Sequence, residues 1–142
     1  MNELCDTQYI AYELANEKYA IKICEVFEII KYQTITTVYN SKAYLEGVIN
    51  LRGKIIPVVN LHKRIGMKNY IPTKTTRIIV IQSREDMVGI IVDKVCQVIK
   101  FSEIQPPPEM MSGIDGSFFE GLGITDEGVV SLLKIDKLLY EG

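Results

Sequence analysis

Chemistry-bearing residues are scarce in this sequence. It has one histidine, His62, and three cysteines, Cys5, Cys24 and Cys96, far apart and in no CxxC pair. Nucleophilic catalysis needs a base beside its nucleophile, and a zinc site needs ligands at a recognisable spacing. Neither pattern is present, so the reading is not an enzyme, with no metal and no cofactor expected. His62, between Leu61 and Lys63 in a predicted short helix, reads as a solvated side chain. The odd number of scattered cysteines reads as reduced thiols of a cytoplasmic protein. No apolar run approaches the roughly 18 residues of a membrane-spanning helix, which excludes direct membrane insertion. The opening MNELCDTQ is acidic and polar, unlike a secretion signal. The 16 basic and 18 acidic residues are mixed along the chain for a net charge of −2. With no basic stripe to neutralise phosphates, nucleic acid is not an expected partner.

Alanine and leucine are also sparse. The chain has 4 Ala and 10 Leu against 21 Ile and 12 Val. β-Branched side chains suit a pleated sheet and lose rotamer freedom in a helix, so the balance favours β structure. At 142 residues the chain is long enough to bury about 68% of its unfolded surface, which is one domain or two small subdomains sharing a core.

Along the chain, residues 9–14 and 19–23 alternate on either side of Asn16-Glu17, which predicts an N-terminal hairpin. CEVFEIIK (24–31) allows one helical turn followed by a strand with Glu28 outward. Ser41, Ala43 to Glu46 and Gly47 carry helix punctuation. GVINLRGKIIPVVNL (47–61) reads as two strands joined at Arg52-Gly53 near a sheet edge, with Pro57 breaking the second strand. Asn60 caps a short helix closed by Gly66, and 67–75 reads as a loop. TRIIVIQ (76–82) is the most apolar strand, followed by strands over 87–92 and 95–99. Pro106 to Pro108 form a stiff connector. SGIDGSFFEGLG (112–123) reads as loop, before a last strand over 128–133 and a closing helix over 134–140. Nine or ten short strands with three short helices point to a barrel or sandwich. A faint echo between 47–59 and 89–99 suggests two similar barrels.

The carboxylate pairs Glu25/Glu28, Glu85/Asp86 and Asp126/Glu127 have the composition of an acid–base couple, yet each falls at a turn or on an outward face where solvated charge is usual. Exposed binding features are better represented. Arg52 at a hairpin tip is either a solvated turn residue or a bidentate contact for a partner. Met110-Met111 suit a docking surface or a core gap. Phe118-Phe119, if extended, face opposite ways. Ile35, within TITTV, is either an exposed edge residue or an ordinary inward one.

GVINLRGKIIPVVNL resembles the central signature of CheW, the coupling-protein family of bacterial chemotaxis. YIAYELANEKYAIKICEVFEII, MVGIIVDKVCQVI, EIQPPPE and EGLGI resemble the family's other segments in order and spacing, over about residues 8 to 140. The resemblance implies an all-β fold with a few short helices, as two intertwined five-stranded SH3-like barrels. It implies a single domain over 1–142, with short tails at about 1–7 and 141–142. It further implies a non-catalytic adaptor joining the regulatory domain of the histidine kinase CheA to the cytoplasmic tips of methyl-accepting chemoreceptors, at membrane-associated arrays. By motif match, receptor contacts fall on Glu28, Arg52, Ile55, Arg77 and Val98. Gly47, Asn50 and Gly53 shape the hairpin, and Ile35 and Met110 hold the kinase-side positions. Asn60 replaces the family's usual Asp, and Arg77 stands where an aliphatic residue is common. Other readings are a CheW-like scaffold for a non-chemotaxis kinase, or a small-molecule-binding barrel with the loop from Gly113 to Gly123 as a lid. No receiver domain is expected after Gly142.

Overall fold

The computed structural model describes residues 8–38, 45–66, 71–83, 85–111 and 114–140. The N-terminal hairpin is β1 (Tyr9–Leu14) and β2 (Glu17–Lys22), paired antiparallel. Its turn is Ala15-Asn16, one residue earlier than expected, with both residues at positive φ as a two-residue hairpin turn requires. A 3-10 turn (Ile23–Glu25) leads into β3 (Val26–Lys31). The central hairpin is β4 (Leu45–Leu51) and β5 (Lys54–Asn60), followed by α1 (Leu61–Arg64). Strands β6 (Arg77–Ser83), β7 (Asp86–Val92), β8 (Lys94–Ile99) and β9 (Glu103–Gln105) come next. The short pair β10 (Met110–Met111) and β11 (Ile114–Asp115) precedes β12 (Phe119–Thr125), β13 (Gly128–Leu133) and α2 (Ile135–Tyr140).

Two sheets result. One has six strands in the order β8-β1-β2-β13-β12-β9, and the other has five in the order β3-β6-β7-β5-β4. The first sheet thus joins both ends of the described chain around the second, the intertwining expected of two SH3-like barrels. It carries six strands rather than five because β8 and β9 hold opposite edges with only three residues between them, curling the sheet on itself. Register shifts in β1, β3, β4 and β12 add the local bends that curved sheets need.

The main core lies between the sheets, where Ile10, Tyr12, Leu14 and Tyr19 meet Ile79, Ile81 and Ile90. Each barrel has its own smaller interior, Ile78, Val80 and Ile91 in one and Tyr9, Ala20 and Leu132 in the other. β6 therefore alternates between two cores, which explains its unbroken apolar run. Each of its fully buried isoleucines contributes about 1.5–3 kcal/mol.

Several expectations change. Residues 41–44 of the predicted helix lie outside the described residues, and Leu45 to Gly47 belong to β4. Pro57 does not interrupt β5, because the parallel pairing to β7 begins only at Val58. Residues 119–123 are strand rather than loop. Gly123 packs under the Phe101 ring, where a Cβ would overlap it, so this strand position needs glycine. The echo between halves is not a barrel repeat, since 47–49 and 89–91 lie in the same sheet. Cys24 is disulfide-bonded while Cys96 is a free thiol; cysteine count and spacing do not say which thiols a fold brings together. Burial, together with the Glu13 carboxylate, pushes the Cys96 thiol up.

Candidate functional site: the hairpin tip and the groove between the barrels

Arg52 and Gly53 both have positive φ, 50° and 87°, and form the two-residue turn of the β4–β5 hairpin. An arginine in the left-handed region is uncommon. Asn50 holds it there, its Oδ1 accepting the Gly53 N–H at 2.8 Å. The tip is thus shaped from within the hairpin, and Arg52 projects into solvent.

Its guanidinium meets Glu28 on β3. Nη1 donates to Oε2 at 3.1 Å, and Nη2 donates to Oε1. β3 and β4 are opposite edges of the five-stranded sheet, so this two-pronged contact spans the mouth of the curled sheet. The Arg52 hydrogen bonds hold the Glu28 carboxyl below its usual range, and Glu28 raises the guanidinium in return. The register shift beside Phe27 turns β3 as it approaches this pair.

Apolar surface adjoins the tip. Ile55 is 60% exposed and lies across from Asn50. Val98, 52% exposed, pairs with Ile10 on the edge strand β8. Ile10 belongs to the core between the sheets, so Val98 marks where that layer opens to solvent on the first barrel. Ile29 does the same on the second barrel, through its partner Ile79. Phe27, 52% exposed, extends that apolar edge beside Glu28. The sequence reading passed over Phe27 and Ile29; the period-2 alternation of β3, with Glu28 between them, was the available signal.

The other candidates have different settings. Arg77 starts β6 and donates from Nη1 to the carbonyls of Lys74 and Thr76, tying down its own loop. It pairs across from Lys31, three positions along β3 from Glu28. Gly47 lets β4 approach residue 36 closely. A Cβ would overlap the Thr36 carbonyl oxygen, where Thr36 and Val48 exchange backbone hydrogen bonds of 2.8 and 2.9 Å. This bridge seats the neighbouring Ile35, which is partly buried against the second barrel's interior. Met110 lies in β10 opposite Asp115. Phe119 is core and Phe118 half-buried with the Arg64 guanidinium over its ring at 5.2 Å. Because Phe118 ends a 3-10 turn rather than continuing a strand, both rings pack on the same core and do not face opposite ways.

His62 is 3% exposed, not solvated. Asn60 caps α1 by accepting the Lys63 N–H at 3.3 Å, which turns His62 inward, and Asp93 supplies an acceptor 3.0 Å from its Nε2. Among the described residues no group of His, Cys, Asp and Glu is arranged to hold a metal ion, and no helix is long and apolar enough to cross a membrane. An exchangeable ion pair with neighbouring apolar side chains is equipment for docking another surface.

Comparison with known proteins identifies the family and the fold. The CheW-like domain family matches residues 8–142. A probable chemotaxis protein CheW from Rhizobium etli is 35% identical over 138 residues, covering 96% of this chain and 89% of that protein. Chemotaxis protein CheW from Thermotoga maritima is also 35% identical, over 97% of this chain and 91% of its own length. The crystal structure of the scaffolding protein TtCheW from Thermoanaerobacter tengcongensis superposes with a TM-score of 0.85 at 38% identity, over 93% of this chain and 86% of the other.

Proposed function

The chain belongs to the CheW-like domain family, and from that membership we propose that it acts as a non-catalytic adaptor, coupling a CheA histidine kinase to the cytoplasmic tips of chemoreceptors. The observation that carries the proposal is the Arg52–Glu28 pair at the hairpin tip, with the exposed Ile55 on the same hairpin and the exposed Val98 on the edge strand of the other sheet. A receptor tip is helical, and an apolar groove with charges at its rim takes one face of a helix. Modest individual contacts then add through avidity in an array. The adaptor works in the cytoplasm, recruited to the membrane through its partners. It acts as one domain over the whole chain and needs no cofactor.

In this reading Glu28, Arg52, Ile55 and Val98 meet the receptor, and Gly47, Asn50 and Gly53 keep the hairpin in shape. Arg77 acts at the margin, because its guanidinium already serves the backbone of its own loop. By family match, Ile35 and Met110 hold the positions that meet the kinase regulatory domain. The adaptor need not change shape; it holds the partners together while the receptor's two states bias the kinase.

Calorimetry with the regulatory domain of the CheA from the same organism tests the kinase half. Saturable one-to-one binding, weakened by Met110→Glu in a variant of unchanged circular dichroism, supports it. Absence of binding at high micromolar concentration removes it and directs the search to other kinases.

A further inference from the structure

Asp93 is the single residue between β7 in the five-stranded sheet and β8 in the six-stranded one. The chain passes from one barrel to the other at this point. Four hydrogen bonds converge on it, two from each side. Its N–H donates to the Glu13 carbonyl at 2.9 Å, and its Oδ2 accepts the Ala15 N–H at 2.7 Å; both partners belong to the β1–β2 hairpin of the first barrel. Its carbonyl accepts from the Thr75 hydroxyl at 2.8 Å, and its Oδ1 lies 3.0 Å from His62 Nε2; these two flank β6 and β5 of the second. A carboxylate oxygen only accepts, so His62 carries its proton on Nε2 whether the ring is neutral or charged.

The apolar layer between the barrels is larger than this cluster, but apolar attraction has no direction and tolerates sliding. Hydrogen bonds narrow both distance and angle, and so fix one arrangement among many of similar burial. The two residues assigned above to the groove walls lie on strands that lead to the same node: Val98 on β8, which starts just after Asp93, and Ile55 on β5, which runs into α1 and His62.

We propose that Asp93, with His62, is a positioning pair that holds the two barrels in one relative orientation and thereby sets the spacing of the groove walls. The link to groove spacing rests on the docking function proposed above; the holding of the barrels does not.

The test compares the full chain, His62→Ala and His62→Gln by amide residual dipolar couplings. The Gln side chain keeps an N–H donor for Asp93, so it separates lost hydrogen bonding from lost volume. A single alignment tensor is expected to fit both barrels in the native chain and in His62→Gln, while His62→Ala needs two. Affinity for a receptor-tip helical hairpin is expected to fall roughly 3- to 10-fold in His62→Ala, as for one net hydrogen bond, and to recover in His62→Gln. One shared tensor in His62→Ala overturns the proposal, and split tensors with unchanged affinity overturn its link to groove spacing. Split tensors in a chain whose native form does not bind the receptor tip overturn the docking function and leave the positioning pair standing.

Discussion

Arg52 and Glu28 stand at opposite edges of one five-stranded sheet and meet as a two-pronged ion pair. Each residue is therefore the other's partner in the free protein. A docking helix that uses either of them must exchange the pair or bind it as a unit. The contact is exposed, so its worth lies in presenting the tip rather than in holding the fold.

The first prediction follows from that exposure. Arg52→Glu should leave the thermal midpoint and circular dichroism essentially unchanged, yet remove binding to a receptor tip, because it puts two carboxylates at the groove rim. Adding Glu28→Arg restores a pair of reversed polarity. Recovery of binding in the double variant indicates that the partner reads the pair as a unit, and continued loss indicates that it contacts the guanidinium itself. Full receptor binding by Arg52→Glu alone removes Arg52 from the site.

The same pair sets a pH dependence. Glu28 has a carboxyl held below its usual range by Arg52. Its contribution is therefore complete above the ordinary glutamate value of about 4.3 and is lost as pH falls through the lower folded value. Carboxyl NMR should show Glu28 titrating below free glutamate, and the Arg52→Ala variant should move it back up. Receptor binding should accordingly not respond to Glu28 protonation between pH 6 and 8, a window well above both values.

Two hairpin glycines should differ sharply in what they tolerate. At Gly47 (φ +148°) an added Cβ meets the Thr36 carbonyl, which cannot move without breaking the bridge to Val48. Gly47→Ala should destabilise by about 2–4 kcal/mol in urea unfolding, the range of a forced backbone clash. Gly53 (φ +87°) has open space around it, so Gly53→Ala carries only the left-handed backbone strain of about 1 kcal/mol. Equal losses at the two positions would show that conformation rather than the close approach to Thr36 governs Gly47.

Much of this fold was legible where the cause is local. The alternation of the N-terminal hairpin, the apolar run of β6 and the Asn60 cap are written within a few residues, and the structure agrees with them. Positions governed by distant contacts were not. Gly123 reads as loop until Phe101, 22 positions earlier, is seen against it. His62 reads as solvated until Asp93 is brought beneath it. Arg52 at the hairpin tip and Glu28 facing outward were readable from the residues, and the family resemblance assigned both to one surface. Their pairing depends on sheet curvature, which no short window of sequence encodes.

The groove itself is tested by comparing two neighbours on one ladder. Val98 and Ile10 are cross-strand partners, but Val98 is 52% exposed and Ile10 only 8%. Replacing Ile10 with Ser removes apolar volume from the shared core and should lower stability by about 2–4 kcal/mol in denaturant unfolding. Val98→Ser touches little that is buried and should stay within about 0.5 kcal/mol of the native chain. If Val98 lines the receptor groove, its methyl groups are buried only in the complex, and the same change should weaken receptor-tip binding roughly 10-fold, as for apolar area withheld from an interface. Ile55→Ser on the opposite wall should behave alike, and the two losses should multiply if the walls grip separate parts of one helix. Val98→Ser with native stability and native receptor affinity would leave the groove's first-barrel wall without a role.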